Sequence, residues 1–415
     1  MLERFSLPQG VRDFPPERAE EIRRVEECLL DEFKRWGYRR VITPFFESLE
    51  TISVGLGDDL KDKILKFVDP STGDVVALRP DITPQVGRIV ATQLRDHMGP
   101  LRLCYNGRVI RYEERGSGKE REIFQVGCEL MGLSSPEGDG EIIALAVKSL
   151  EKLGIKNLVL DIGHTGLLRF LLGKTGNVRN EIEEALKKKD QEALEKATSK
   201  APIPQAIKRV ILSLPELYGN KDILRRAKKI SIIRKYVKEL EDVLILLDEF
   251  QVGCEINVDL GELRGFNYYT GVSFELITPR VPSPMIIGGR YDELIEKYGY
   301  KCPATGFAVD IEALLDVATS TSYEDNKNDF VVIPTKPSLR RESIKIAESL
   351  RRSGFKVILD LKADVNLVRE RIKENRSLSS YGVILLETFG KLRLIESRTG
   401  VSKEFSNLEE LLSSI

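Results

Sequence analysis

The stretch Leu263-Arg264-Gly265-Phe266-Asn267-Tyr268-Tyr269-Thr270-Gly271 is the densest group of chemically versatile residues in this chain of 415 residues. It places one arginine, two adjacent tyrosines and two glycines beside a segment typical of a β-strand. An arginine can hold a carboxylate through two parallel hydrogen bonds, and tyrosines supply hydroxyl groups on flat apolar rings. The pattern suits a ligand of amino-acid size. The alternative is a glycine-flanked hairpin with surface tyrosines.

Two earlier segments offer polar groups that could complete such a site. In Arg79-Pro-Asp-Ile-Thr83, the side chains of Asp81 and Thr83 could bind an ammonium group or cap the next helix. In a second segment, Leu101 to Arg111 and Phe124 to Met131 read as an antiparallel pair of strands. Alternate residues of a strand share a face, so Gln125 and Glu129 point to the same side of the second strand. That side is either a pocket for a cationic group or a solvated sheet face.

A fourth cluster, Gly288-Gly-Arg-Tyr-Asp292, follows a strand-like segment. Adjacent glycines permit the backbone to approach a ligand closely or to form an unusual turn. The cluster alone favours a structural turn.

Composition excludes several classes of protein. The 64 basic and 65 acidic residues nearly cancel, which excludes a globally basic nucleic-acid coat. The five cysteines lack CxxC spacing, which argues against a disulfide framework and a structural zinc site and fits a reducing cytoplasm. The sequence shows no signal peptide and no apolar run long enough for a membrane span. We therefore predict a cytoplasmic protein with no membrane association, no metal and no cofactor.

The pattern of elements predicts two domains. Residues 1–320 read as strands and helices, with a charged helical insertion at about 167–250. A polar linker at 319–328 leads to a segment at 326–415 whose strands alternate with helices, which is typical of a small α/β domain. That segment has 17 basic and 12 acidic residues, a net charge of +5.

These clusters, in this order, resemble the catalytic core of the histidyl-tRNA synthetases, which are class II aminoacyl-tRNA synthetases. The first helix, the strand after it and Pro44 resemble motif 1, which builds the dimer interface in that class, and Arg111 to Glu129 resembles motif 2. The stretch from Arg264 and the cluster from Gly288 resemble the two histidine-specific motifs. The resemblance implies an α+β fold: an antiparallel sheet flanked by helices, with a helical insertion and a C-terminal α/β domain similar to an anticodon-binding domain.

The chain departs from that family at the nucleotide site. Motif 3 normally ends in Gly-x-x-Arg, but Asp310 stands at the glycine and Ala313 at the arginine. Ile123 stands where motif 2 carries the aromatic residue that stacks on adenine. A charge-assisted contact to phosphate contributes roughly 1.5–3 kcal/mol and stacking about 1 kcal/mol. We therefore predict that the chain does not form an aminoacyl-adenylate.

The resemblance also implies a histidine pocket, in which most family positions are retained. By that resemblance, Asp81, Thr83 and Gln125 would bind the α-ammonium group of histidine, and Glu129 and Tyr269 would bind its imidazole ring. Arg264 would bind the carboxylate, and Tyr268 would line the wall of the pocket. Arg111 is retained from motif 2. Asn267 replaces the aspartate that is usual in the synthetases.

A synthetase core that retains histidine recognition and lacks ATP chemistry resembles the regulatory subunits of ATP phosphoribosyltransferase, which act in histidine biosynthesis. That resemblance implies a non-catalytic chain that forms a homodimer, binds L-histidine for feedback inhibition and joins a short catalytic subunit in a hetero-octamer, without binding tRNA. Two alternatives remain: a histidyl-tRNA synthetase with a degenerate motif 3, and a stand-alone synthetase-like module with another role.

Overall fold

A computed structural model describes residues 6–97, 99–113, 120–200, 202–263, 268–318, 329–355, 357–359, 381–388, 390–396 and 401–414. The chain divides into two compact units, Met1–Ser322 and Tyr323–Ile415. The predicted linker at 319–328 and the predicted helix at 366–375 lie outside the described residues, as does most of the predicted loop at 114–122.

The first unit is built on a nine-stranded sheet in the order β1-β5-β6-β12-β11-β10-β7-β9-β8, and most of its strand pairs are antiparallel. Only β1 with β5 and β7 with β9 run parallel among the described pairs of this sheet. Its strands are β1 (Arg39–Arg40), β5 (Leu101–Ile110), β6 (Glu122–Met131), β7 (Val159–His164), β8 (Tyr218–Gly219), β9 (Glu255–Asp259), β10 (Val272–Thr278), β11 (Val281–Arg290) and β12 (Ala304–Asp310).

A small three-stranded sheet in the order β2-β4-β3 accompanies it in the same unit. The turn sequence Ser71-Thr-Gly-Asp74 between two strand-like segments predicts a hairpin, and β3 and β4 do pair antiparallel on either side of the turn at 69–74. The strands are β2 (Phe46–Ser48), β3 (Lys66–Val68) and β4 (Val75–Leu78).

The helices of this unit pack around the main sheet. The first of them begins after Pro15, as the Asp13-to-Pro16 segment predicts, and ends before Gly37, whose φ of 84° suits glycine. The helices are α1 (Pro16–Arg35), α2 (Leu49–Gly55), α3 (Asp58–Lys61), α4 (Thr83–Gln93), α5 (Pro136–Lys152), α6 (Thr165–Leu172), α7 (Arg179–Lys187), α8 (Gln191–Ser199), α9 (Gln205–Ser213), α10 (Ile223–Ala227), α11 (Arg234–Glu249) and α12 (Ile311–Leu315).

The largest apolar core joins one face of the main sheet to the helices packed on it. It includes Phe33 of α1, Leu145 of α5, Ile162 of β7 and Leu186 of α7, all nearly inaccessible to solvent. Residues 167–250 are helical as predicted, but they also contribute the edge strand β8 to the main sheet.

One local prediction needs correction. The β-rich residues Tyr38–Thr43 predict a strand there, but the strand is only two residues long. The apolar spacing at 138–153 predicts an amphipathic helix, and α5 is one, because its partly exposed residues form a single charged stripe along an otherwise buried helix: Glu137, Glu141, Lys148, Glu151 and Lys152. Helix α5 packs against strands β6, β10, β11 and β12 and against helices α1 and α11.

The second unit is a five-stranded mixed sheet in the order β14-β13-β15-β16-β17. Strand β13 pairs parallel with β14 and with β15, and β16 pairs antiparallel with β15 and with β17. The sequence reasoning missed the last two strands. The elements are β13 (Asp329–Pro334), α13 (Arg340–Arg352), β14 (Val357–Leu359), β15 (Tyr381–Thr388), β16 (Lys391–Glu396), β17 (Ser402–Phe405) and α14 (Leu408–Ser414).

The five cysteines are free thiols, as their spacing predicts. Within the described ranges, no helix is long and apolar enough to cross a membrane, and no group of three His, Cys, Asp or Glu side chains is arranged to hold a metal ion.

Candidate functional site

The candidate site lies on one face of the central strands, between β6 and the start of α4. Gln125 and Glu129 project from the same face of β6, as predicted, and both are buried. Glycines make room for them: a Cβ at Gly306 of the neighbouring strand β12 would overlap the Glu129 carboxylate. The alternative of a solvated sheet face is therefore wrong.

Asp81 forms one side of the site. Its Oδ1 accepts hydrogen bonds from the Ile82 amide at 2.9 Å and from Nε2 of Gln125 at 3.4 Å, and its Oδ2 accepts one from the Tyr268 hydroxyl at 3.4 Å. Burial raises the pKa of Asp81, and the positive charge of Arg111 opposes that effect. Helix α4 has no side-chain cap, so the capping alternative is also wrong.

Gln125 carries a polar atom without a partner. Its Oε1 is buried and accepts no hydrogen bond within the part of the chain that the structure describes. An unpaired buried carbonyl oxygen costs about 1–3 kcal/mol, which a ligand N–H group could offset.

Glu129 forms the other side of the site and is only 1% exposed. Thr83 Oγ1 donates to its Oε1 at 2.7 Å, and the Tyr291 hydroxyl donates to its Oε2. Burial raises the pKa of Glu129 to about 8, against the hydrogen bonds, which stabilise the charged form. At neutral pH this side chain is therefore mostly a neutral acid.

Tyrosines line the space around these two acids. Tyr268 packs edge-on against both Tyr269 and Tyr291, with ring centroids 5.1 and 5.7 Å apart. All three are buried, as is Tyr105, whose hydroxyl lies 3.3 Å from Thr83 Oγ1. The alternative of surface tyrosines is wrong for Tyr268 and Tyr269, because both pack into an apolar cluster beneath α4.

The arginines predicted for the site have different outcomes. Arg111 follows β5 and donates from Nε to the Pro80 carbonyl at 2.8 Å, beside the Asp81 carboxylate. Arg264 lies outside the described residues, together with Gly265, Phe266 and Asn267.

The three residues at which the sequence is expected to depart from the synthetase motifs lie on β12, α12 and β6. Asp310 pairs with Gln125 across β12 and β6, and its Oδ1 caps α12 by accepting from the Glu312 amide at 3.0 Å. Burial raises the pKa of Asp310, and the charge of Arg111 lowers it. Ala313 lies in α12, and Ile123 lies on β6 against the apolar cluster that contains the tyrosines.

The Gly288-Gly289 pair lies inside strand β11, so the predicted turn is wrong. A Cβ at Gly288 would lie 2.7 Å from the Gly306 carbonyl oxygen, and one at Gly289 would lie 2.8 Å from the Val272 carbonyl oxygen. Side chains larger than glycine would therefore force the strands apart. The two glycines keep β11 close to its neighbours.

Arg290 has a structural role next to the site. It is buried, and it donates to Asp139 of α5 at 2.9 Å, to Asp292 at 3.1 Å and to the carbonyl groups of Leu133 and Ser135. These bonds attach the end of β11 to the start of α5.

Tyr291 is the contact that sequence reasoning missed. The sequence placed this tyrosine in a cluster but assigned the second imidazole contact to Tyr269. The structure shows that the Tyr291 hydroxyl donates a hydrogen bond to Glu129, which lies 162 positions earlier in the chain. No local sequence pattern could indicate this contact.

Known proteins resemble this chain over most of its length. The family described as "Histidyl-tRNA synthetase" matches residues 10–314. A Geobacter sulfurreducens protein named ATP phosphoribosyltransferase regulatory subunit is 41% identical over 86% of this chain and 83% of its own. A protein of the same name from Syntrophotalea carbinolica is 33% identical over 98% and 96% of the two chains.

A solved structure supports the fold independently. A Bacillus halodurans protein, titled an ATP phosphoribosyltransferase regulatory subunit/histidyl-tRNA synthetase, is 28% identical and superposes with a TM-score of 0.78 over 92% of this chain and 97% of its own. The predicted class II synthetase-like fold is confirmed.

Proposed function

We propose a function for this chain from one premise: it belongs to the family of ATP phosphoribosyltransferase regulatory subunits, on a histidyl-tRNA synthetase fold. As such a subunit it is non-catalytic. It binds L-histidine in the site between β6 and α4 and transmits that binding to a catalytic phosphoribosyltransferase subunit, as feedback inhibition of histidine biosynthesis.

The two buried acids are the observation that carries the proposal. Asp81 and Glu129 are both buried, and the charge of Asp81 opposes ionisation of Glu129. The positive charge of Arg111 acts on Asp81, but none of the described groups that hold Glu129 is a cation. Two neighbouring buried acids must keep a proton or gain further positive charge, so the arrangement favours a ligand that supplies it. Histidine carries an ammonium group and a basic ring, one for each acid.

The remaining contacts follow the family resemblance. Asp81, Thr83 and the free oxygen of Gln125 would receive the α-ammonium group. The carboxylate would be held by Arg264, and Tyr268 would form the wall, with Tyr269 packed behind it. Arg111, which lies beside Asp81, would contribute positive charge near the ligand.

Feedback needs only a modest difference in affinity. A ligand shifts an equilibrium by its differential affinity for the two states, and about 1–3 kcal/mol is typical of allosteric coupling. By the resemblance, the assembly is a hetero-octamer with the short catalytic subunit and contains a dimer of this chain.

The test combines binding and activity. We expect calorimetry to show that L-histidine binds the purified chain, and that L-histidine inhibits phosphoribosyl transfer by the reconstituted complex. Glu129→Gln removes the carboxyl group that would share a proton with the imidazole, so it should weaken binding and feedback by about ten-fold or more. Arg264→Ala should do the same.

Glu122→Gln is the matched control, because Glu122 lies on the same strand and its carboxylate pairs with the exposed Arg108 at 2.9 Å. It should bind histidine like the natural chain. Wild-type affinity in both Glu129→Gln and Arg264→Ala would contradict the pocket assignment.

The chain should not activate histidine with ATP. Asp310 caps α12 and places a carboxylate where motif 3 of the synthetases has glycine. Ala313 stands where that motif has arginine, so it offers no cation for a phosphate. We expect no histidine-dependent exchange of pyrophosphate into ATP.

The second candidate function is a histidyl-tRNA synthetase, favoured by the family match over residues 10–314. Robust pyrophosphate exchange or charging of tRNA by the purified chain would establish it and would contradict the non-catalytic proposal. Absence of both, together with histidine-inhibited activity of the complex, would exclude it.

A further inference from the structure

Tyr291 connects the two sides of the site. It directly follows β11, its amide donates to the Ala304 carbonyl of β12 at 2.7 Å, and its ring packs edge-on against Tyr268. Its hydroxyl donates to Glu129 Oε2, opposite the Oε1 that Thr83 occupies. The side chain is 1% exposed, so its hydroxyl is held in place by protein packing.

We propose that Tyr291 is a positioning residue, which aims the Glu129 carboxyl group at the ligand ring and sets how readily that group exchanges a proton with it. The inference rests on the proposed histidine site and deepens it. Tyr291 would act through Glu129, without contact to the ligand.

Several titratable or hydroxyl-bearing groups face Glu129, and Tyr291 is the one whose removal is simplest to interpret. Asp81 is the only charged group among them, and its negative charge opposes ionisation of Glu129. Strand β12 contributes only Gly306 at this point. The described groups that interact with Glu129 are Asp81, Thr83, Tyr105, Cys128, Tyr268 and Tyr291.

A shared proton predicts a bell-shaped dependence of histidine affinity on pH. Binding is best when one proton is distributed between the Glu129 carboxyl group and the imidazole. Below its pKa of about 6.5 the free imidazole ring is already protonated, as is Glu129, so one of the two protons must be released when the ring binds. Above about pH 8, Glu129 of the unliganded protein has lost its proton, so binding requires that the complex take up one proton from solvent.

Tyr291→Phe retains the ring and removes only the hydroxyl. The ionised form of Glu129 then loses a donor, so the pKa of Glu129 rises and the alkaline limb of the affinity profile moves to higher pH. Affinity for L-histidine at pH 7 should fall about ten-fold, because hydrogen bonds to charged groups are the stronger kind.

The test is calorimetric titration of the full chain with L-histidine from pH 6 to pH 9.5, in buffers of different ionisation enthalpy that report proton uptake. Four variants are compared: the natural chain, Tyr291→Phe, Glu129→Gln and the double variant. Tyr38→Phe is the matched control, since Tyr38 is also buried and donates its hydroxyl to a carboxylate, Glu141 Oε1, at 3.0 Å.

Support for the inference requires that Tyr291→Phe shift the alkaline limb, that Tyr38→Phe leave it unchanged, and that the shift vanish in the Glu129→Gln background. An unshifted limb in a folded Tyr291→Phe protein would overturn the inference while the histidine site stands, even if affinity falls. Failure of the natural chain to bind L-histidine would overturn the proposed function itself.

Discussion

At the scale of single residues, Glu129 is the group whose chemistry depends most on its surroundings. Free in water it would be charged at neutral pH, but between Thr83, Tyr291 and the backbone of Gly306 it is mostly neutral. The contribution of this buried acid to the free energy of unfolding therefore falls as the pH rises.

The pH dependence of stability tests this environment. With a folded-state pKa of about 8 against an ordinary value of 4.5, Glu129 holds a proton in the folded protein that the unfolded chain has released. The free energy of unfolding should therefore fall as the pH rises from about 4.5 to about 8, by up to about 1.4 kcal/mol per pH unit from this group. Glu129→Gln should lack that contribution.

Urea denaturation of both proteins at pH 5, 6, 7 and 8 measures the difference. A buried acid that does not interact with Glu129, such as Asp139, affects both proteins in the same way. The difference therefore reports Glu129 together with its effect on the neighbouring Asp81. Parallel curves for the two proteins would show that Glu129 is ionised in the folded state across this range.

At the scale of elements, the end of β11 and the start of α5 are joined by one buried ion pair. Arg290 pairs with Oδ2 of the Asp139 carboxylate and donates to two carbonyl groups from the loop before α5. The end of β11, which Tyr291 directly follows, is therefore fixed by the largely buried helix α5.

Removing this arginine should be costly. Arg290→Ala leaves the Asp139 carboxylate buried without a cation, and such losses typically cost about 3–5 kcal/mol. Arg179→Ala is the control, since Arg179 pairs with Glu183 at the surface at 2.7 Å and such pairs contribute about 0–1 kcal/mol. Chemical denaturation compares the two, and equal losses would mean that the Arg290 pair contributes no more than a surface pair.

At the scale of the whole molecule, all the described site residues belong to the unit Met1–Ser322. A ligand that binds only the folded state raises the free energy of unfolding by about 2.7 kcal/mol at 100 times its dissociation constant. The stabilisation should be confined to the unit that holds the ligand.

Hydrogen exchange with and without L-histidine measures this directly. We expect slower exchange in peptides from β5, β6 and β12, and unchanged exchange in peptides from β13 and β15 of the second unit. Equal protection of both units would indicate that the two unfold together or that the second unit also contacts the ligand.

The fold class was predictable from the sequence alone, and the sequence also proposed candidate site residues, of which Asp81, Gln125 and Glu129 are buried. Period-2 and period-3.6 patterns located most strands and helices, because burial on one face imposes those periods. The same reasoning failed for Gly288 and Gly289, where strand packing needs glycine as much as a turn does. It also failed for β16 and β17.

Only the tertiary structure decided which groups meet. The shared face of Gln125 and Glu129 follows from strand geometry and was predictable, since both lie on one strand. The contacts of Asp81 with Tyr268 and of Glu129 with Tyr291 join residues 187 and 162 positions apart. Such pairs, and the protonation that burial imposes on Glu129, depend on sheet order and on the exclusion of water, which exist only once the chain has folded.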